Sequence, residues 1–307
     1  MNVYLVDGNS YFYRAFHAIK NLTNAEGFPT NAIYGFTTML LKILKDRKPE
    51  AIAIALDSKE LTERHHLYEQ YKAQRPQMPD SLMVQIPRIK EVIEAFRIPM
   101  FQMPGYEADD IIATIACQCA EQNAHVFILT ADKDMMQVVS ERIKIYDPVK
   151  DTIIDESYVI ERFGVPPDRV PEVMALMGDA VDNIPGVKGI GEKTAKALIT
   201  KAGSLDKLLE KPEQFAAPRI AALIRAQKDA VQLSRQLATI NRTVPVTCDF
   251  DLLRVREPDW PRLFDLFVEF GFKSLLKVIP ANGCKPRAKY VAITHAAELI
   301  RFLGGSV

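Results

Sequence analysis

The chain is short of three things that would each have set its class. It has only 4 cysteines in 307 residues, and Cys117, Cys119, Cys248 and Cys284 form no CxxC pair, so no disulfide framework is encoded. Free thiols of this kind fit a reducing compartment. Long apolar runs are also missing: nothing approaches the roughly 18 residues that a membrane span needs, and Asp7 interrupts the start too early for a secretory leader. A cytoplasmic protein with no membrane partner is expected. Nor is there an excess of either charge, since 39 Lys and Arg stand against 39 Asp and Glu. No global basic field advertises nucleic acid, although an acidic crevice and basic strips would cancel in the same total. The length exceeds the common core size of about 100 to 150 residues, so two domains are expected.

What the chain does have is three apolar runs that each end on an aspartate. Val3 to Val6 precede Asp7, Ala51 to Leu56 precede Asp57, and Val126 to Ala131 precede Asp132. A parallel sheet gathers the carboxyl ends of its strands along one edge, so these runs bring three carboxylates to one crevice. Glu107, Asp109, Asp110, Asp134, Asp179 and Asp182 lie close by in sequence. Crowded carboxylates repel, and divalent cations are the usual remedy. Nine acids are too many for a general acid and base pair, and suit two bridged metal ions doing phosphoryl chemistry. Mg²⁺ fits oxygen ligands of this sort, with Mn²⁺ able to substitute.

To about residue 163 the pattern alternates strand and helix, with helical spacing at Ile33, Phe36, Leu40 and Ile43, a helix over Ile86 to Phe96, a short strand at Ile98 to Gln102, and a helix over Ile111 to Glu121. This predicts an α/β fold with a doubly wound, mainly parallel sheet over residues 1–165. Residues 61–79 interrupt the alternation with His65, His66, Tyr68, Tyr71, Lys72 and Arg75. An insertion of that length is often functional, and a solvated surface helix explains it as well. After Pro166-Pro167 the period turns helical, predicting a second, all-helical unit over 166–280 with helices that include Ile220 to Thr239 and Trp260 to Phe270. Residues 281–307 read as a linker and the start of a further strand and helix, Tyr290 to Thr294 and Ala296 to Leu303, that the chain does not complete.

Taken alone, Glu107, Asp109 and Asp110 are helix caps as readily as ligands, and so are Asp132 and Asp134. Asp179 and Asp182, three apart, are expected on one face of a helical turn. The run from Gly186 to Thr194 has glycines at 186, 189 and 191 and lysines at 188 and 193. It lacks the Walker spacing and follows no strand. A helix-hairpin-helix gripping a phosphate backbone through its N–H groups fits better.

In order and spacing, Asp7-Gly8-Asn9, Tyr71 to Pro76, Gly105 to Asp110, Asp132-Lys133-Asp134, and Gly178 to Ala195 resemble the 5′ nuclease domain of bacterial DNA polymerase I, within the flap endonuclease family. The resemblance covers about residues 1–280. It implies a PIN-like nuclease core, with a structure-specific 5′-3′ exonuclease and 5′-flap endonuclease activity on DNA and RNA primers in replication and repair. By position, Asp7, Asp57, Glu107, Asp109 and Asp110 would serve a first metal, and Asp132, Asp134, Asp179 and Asp182 a second. Lys72 and Arg75 would stabilise the scissile phosphate, Tyr71 would stack on a base, and residues 61–79 would form part of an arch over the 5′ strand. The glycine loop, through Gly186, Lys188, Gly189, Gly191, Lys193 and Thr194, would hold duplex DNA and carry a K⁺ ion. Expected partners are DNA with a flap, nick or RNA primer and a DNA polymerase in cis or trans, with the chain itself a monomer. Two rival readings are a non-catalytic module for branched DNA and a related metal-dependent ribonuclease.

Overall fold

The computed structural model describes residues 1–280, and the strand and helix expected beyond Tyr290 lie outside the described residues. Strands β1 (Asn2–Asp7), β2 (Ala51–Leu56), β3 (Met100–Gln102), β4 (His125–Leu129), β5 (Ile143–Asp147) and β6 (Thr152–Ile154) form one sheet in the order β3-β2-β1-β4-β5-β6. Every pairing is parallel except that of β5 with β6. The sequence of β2 is AIAIAL with every residue buried, as a strand covered on both faces requires. Register places Asp7 beside Ala55 and Val6 beside Leu129. The strand order turns back at β1 and β4, which is where an open α/β sheet forms its ligand crevice.

The helices before the second half are α1 (Gly8–Ala18), α2 (Asn31–Asp46), α3 (Glu63–Leu67), α4 (Asp80–Met83), α5 (Ile86–Ala95) and α6 (Ala108–Glu121). After β6 come α7 (Glu156–Phe163), α8 (Val170–Met177), α9 (Glu192–Ala202), α10 (Leu205–Glu210), α11 (Pro212–Phe215), α12 (Pro218–Ala226), α13 (Lys228–Ala238), α14 (Phe250–Leu253), α15 (Trp260–Glu269) and α16 (Lys273–Leu276). The helical stripe of α2, Ile33, Phe36, Leu40 and Ile43, packs with Ile89 and Val92 of α5 against Tyr4, Val6, Ile52 and Ile54 of the sheet. On the opposite face Val3, Leu5, Ala53, Val126 and Ile128 meet Ile111 and Ile115 of α6. That cluster runs on without a break into Val173 and Leu176 of α8, Ile199 of α9 and Val231 of α13.

The α/β and helical parts therefore share a core. The helices also divide differently from the reading of 166–280 as one unit: Leu263, Phe267 and Phe270 return to the first layer beside Phe36 and Val92. The helix expected over Ile220 to Thr239 is broken at Gln227, whose side-chain Oε1 accepts the Lys188 N–H at 2.9 Å. The break turns this side chain toward the glycine loop. The strand pair β5–β6 and helix α7 complete the sheet edge beyond the four strands read from sequence.

Candidate active site

Three strand ends and one helix start supply the floor of the crevice. Asp7, the last residue of β1, caps α1 by accepting the Ser10 N–H at 3.0 Å, and its Oδ2 accepts the Thr130 hydroxyl at 3.0 Å. Gly8 makes this junction fit, because a Cβ there would sit 2.5 Å from Leu56 Cδ2. Asp57, one residue past β2, accepts the Ala108 N–H at 2.8 Å and so fixes the first turn of α6, which carries Asp109. Asp132, beyond β4, accepts the Asp134 N–H at 2.8 Å. Asp7, Asp57, Asp109 and Asp132 line one crevice of about 580 Å³, with Tyr13, Lys72, Arg75 and Val181 among its walls.

Burial raises the carboxyls of Asp7, Asp57, Asp109 and Asp132 above their ordinary range; nearby carboxylates add to it, and at Asp57, Asp109 and Asp132 the Lys72 ammonium works against it. Asp7 is pushed up to about 7 by burial, with Asp57 and Asp132 reinforcing the shift. Asp134 is pushed up to about 8 by burial and then by Asp132, Asp179 and Asp182. The Oδ1 atoms of Asp109 and Asp134 are buried and make no hydrogen bond. A hard cation satisfies both deficits, crowded negative charge and unpartnered oxygen. Among the described residues no three carboxylates converge closely enough to ligate one ion as they stand. Three cations already occupy part of the group: Lys72 Nζ lies 2.9 Å from Glu107 Oε2 and 3.8 Å from Asp182 Oδ2, Arg75 bonds Asp182, and Lys133 Nζ lies 2.8 Å from Asp179 Oδ2.

The crowding gives a pH signature. A carboxyl raised on folding contributes stability that is fully present below its unfolded pKa and is lost as pH rises through the folded value. In EDTA, Asp7 and Asp134 should therefore make the protein progressively less stable as pH climbs from about 4 to about 8. Urea unfolding at several pH values measures this, and a flat or rising profile would contradict the crowding.

Behind the floor the remaining expected residues have different surroundings. Asp110 accepts Arg64 Nη1 at 2.9 Å and Nη2 at 2.7 Å, the Asn241 N–H at 2.8 Å and the Glu107 N–H at 3.3 Å. Its oxygens are consumed by structure, so it is not free to ligate a metal. Tyr71 is buried, with its hydroxyl donating to Glu107 at 3.2 Å, so no base can stack on its ring. Glu107 takes Arg64, Tyr71 and Lys72 together. Burial opposes the Lys72 charge, but Glu107 and Asp182 outweigh it and hold the ammonium above its ordinary range. Asp179 and Asp182 sit not on a helical turn but on a tight turn closed by a bridge between Asp179 and Ile184.

Two glycines explain that turn. Gly178 (φ +71°) and Gly186 (φ +59°) lie back to back, and a Cβ on Gly186 would come within 2.7 Å of Gly178 Cα. Gly186 is buried and its N–H donates to Ser234 Oγ at 3.0 Å, so it shapes the turn and offers nothing to a phosphate. Gly186→Ala is expected to cost about 2–4 kcal/mol, read by chemical denaturation; a loss under about 1 kcal/mol would show that the backbone there can give way. Gly189 (φ +98°), Gly191, Lys188 and Lys193 are exposed, and Gly191 opens α9 without a side-chain cap. The first N–H groups of α9, around Lys193 and Thr194, are thus left for an anion.

Sequence reasoning missed Arg64, Lys133 and Asn183. Lys133 and Asn183 lay inside quoted motifs without a role, whereas Arg64 looked like one more surface charge in a polar stretch.

Two family models match this chain in succession, the 5′-3′ exonuclease N-terminal resolvase-like domain over residues 2–164 and the 5′-3′ exonuclease C-terminal SAM fold over 165–261. The 5′-3′ exonuclease of Aquifex aeolicus is 39% identical over 277 residues, covering 90% of this chain and 94% of that protein. DNA polymerase I of Pseudomonas aeruginosa is 41% identical over 280 residues, 89% of this chain but 31% of the polymerase, and that of Thermus aquaticus is 40% identical over 89% and 32%. The chain thus spans about a third of the polymerase relatives. Among solved structures, the T5 D15 protein co-crystallised with metal ions superposes with a TM-score of 0.68 at 18% identity, covering 91% of this chain and all of that one. The catalytic core of Rad2 with a DNA substrate gives 0.60 at 16%, over 90% of each chain, and both likenesses speak for the fold. Both units of one family thus stand in order around the acidic crevice, and the chain belongs to the 5′-3′ exonuclease family.

Proposed function

We propose that the chain hydrolyses DNA and RNA-primer phosphodiesters at 5′ flaps and nicks with two Mg²⁺ ions held in the acidic crevice. The observation that carries this is the pair of buried, unpartnered carboxylate oxygens, Asp109 Oδ1 and Asp134 Oδ1, within a set of hard oxygen donors whose charges repel. Asp7, Asp57 and Asp109 would hold one ion and Asp132, Asp134, Asp179 and Asp182 the other, with Glu107 orienting the first group. When bound, such ions lower the pKa of a coordinated water and neutralise the leaving oxygen.

The protein's own groups do the rest. Lys72 and Arg75, now paired with Glu107 and Asp182, stand in the wall of the crevice and can turn their charge to a scissile phosphate as negative charge builds on it. The open start of α9, flanked by Lys188 and Lys193, supports a contact with duplex phosphates beyond the cut. The Val187 and Lys188 carbonyls each already accept a hydrogen bond, from Ile190 N–H and the Gln227 amide, so the structure adds no support for a K⁺ ion there. Relatives in which this unit makes up a third of DNA polymerase I support work beside a polymerase. Across the described residues no helix is long and apolar enough to cross a membrane.

The experiment is cleavage of a labelled double-flap DNA with Mg²⁺, with Mn²⁺ and with EDTA, beside blunt duplex and single strand of the same sequence. Metal-dependent cutting near the branch is expected. Tight binding of the flap without cutting in any metal would instead make the chain a binding module.

A further inference from the structure

Residues 70–75, whose Lys72 and Arg75 stand in the wall of the crevice, are fastened to the turn that carries Asp179 and Asp182. The fastener is Asn183, which lies inside the Gly178 to Ala195 run but was assigned no role there. Its Nδ2 donates to Gln70 O at 2.7 Å and its Oδ1 accepts from Gln74 Nε2 at 3.5 Å. Beside these bonds the Lys72 N–H donates to Asp182 O at 3.0 Å. The contact joins two residues in left-handed backbone, Lys72 at φ +56° and Asn183 at φ +57°. Asparagine accepts that conformation readily, but a lysine in it must be held by its surroundings. Here the hold comes from both sides: the backbone bond to Asp182, and the side-chain partners of Lys72 at Glu107 and Asp182.

We infer that Asn183 is a positioning residue for Lys72: its amide clamps residues 70–75 onto the 179–184 turn, so that the Lys72 backbone stays left-handed and its ammonium is delivered to the crevice that the turn helps to build. The inference rests on the proposed action of Lys72 on the scissile phosphate. If Asn183 served only to shape its own turn, glycine would replace it without loss, because glycine takes φ near +57° at no steric cost. If the amide matters, glycine keeps the turn and loses the clamp.

The test is single-turnover cleavage of a double-flap DNA with Mg²⁺ by the whole chain, comparing wild type, Lys72→Ala, Asn183→Gly and the double variant. Asn183→Gly is expected to slow the chemical step about 30-fold, as misplacement of a charged group by an ångström does. DNA affinity and melting temperature should hold. Amide hydrogen exchange across residues 70–75 should quicken about tenfold. The double variant should be no slower than Lys72→Ala to within about twofold, because both changes remove the same delivery. Asn183→Ala, which also deletes the amide and adds strain at a left-handed position, should be at least as slow as Asn183→Gly. A rate within about twofold of wild type, a loss confined to glycine, or losses that multiply in the double variant would each overturn the clamp. A full-rate Lys72→Ala would fail the proposed action of Lys72 on the scissile phosphate while leaving the metal-dependent cleavage standing, whereas a slow Lys72→Ala beside a full-rate Asn183→Gly fails only this inference.

Discussion

Asp109→Asn should slow flap cleavage by about 10³-fold or more while leaving the chain better folded in EDTA than the wild type. Asp109 stands on the first turn of α6, its Oδ1 shut away without a hydrogen bond. Burial holds its carboxyl well above the ordinary range, and the charges of Asp132, Asp7 and Asp57 push in the same direction. An amide of the same shape removes one charge from that group, so metal-free stability should rise by about 1–2 kcal/mol at pH 8. The same change takes away a proposed ligand, and the rate should collapse. DNA affinity in EDTA should stay within about threefold, because the groups proposed to grip the duplex lie on α9 and its loop. Cleavage time courses, urea titrations and fluorescence binding measure the three effects. A variant that cuts at the wild-type rate, or one destabilised in EDTA, would contradict the view of Asp109 as a strained ligand.

Arg64→Ala is expected to cost about 3–5 kcal/mol of folding stability, as breaking a buried ion pair does. All five of its N–H groups are used: Nε on Leu237 O, Nη1 on Glu107 and Asp110, Nη2 on Asp110 and Thr239 O. The side chain is 11% exposed, against 4% for Asp110. Three elements meet on this one guanidinium, α3 from the expected arch, the start of α6, and the carbonyls at the end of α13. Truncation would leave Glu107 and Asp110 without their guanidinium, and the Lys72 ammonium pairs with Glu107 but not with Asp110. Lysine should not rescue it, since three donors on a point charge cannot serve five acceptor contacts in fixed directions. Urea denaturation checks both variants. An Arg64→Lys protein of wild-type stability would show that net charge, and not the fork, matters.

The strand-end aspartates were legible because burial and period act together. A two-sided parallel strand must read as an unbroken apolar run, so the first acid after it marks the sheet edge, and the residues before Asp7, Asp57 and Asp132 do this. Arg64 was illegible because its partners lie 43, 46 and 173 or more residues away. Nothing in a polar stretch announces which arginine will be buried. Tyr71 misled for the related reason that its neighbours are hydrophilic, yet the fold seats its hydroxyl between Glu107 and Asp182. The three-residue spacing of Asp179 and Asp182 suggested a helix face. Glycines 178 and 186, both left-handed, fold that stretch back on itself instead. The break at Gln227 is of the same kind: helical propensity continues through it, and a side-chain contact to Lys188 across the chain accompanies the interruption.

The central claim is that this carboxylate crevice is built to hold divalent cations against a phosphodiester. Crystals of the chain soaked in Mn²⁺ and measured at the manganese edge test it most directly. Two anomalous peaks are predicted in the crevice, one touching Asp109 and one touching Asp134, with the Lys133 ammonium drawn away from Asp179. Peaks confined to the protein surface at millimolar Mn²⁺, with Asp109 Oδ1 and Asp134 Oδ1 still unpartnered, would contradict it.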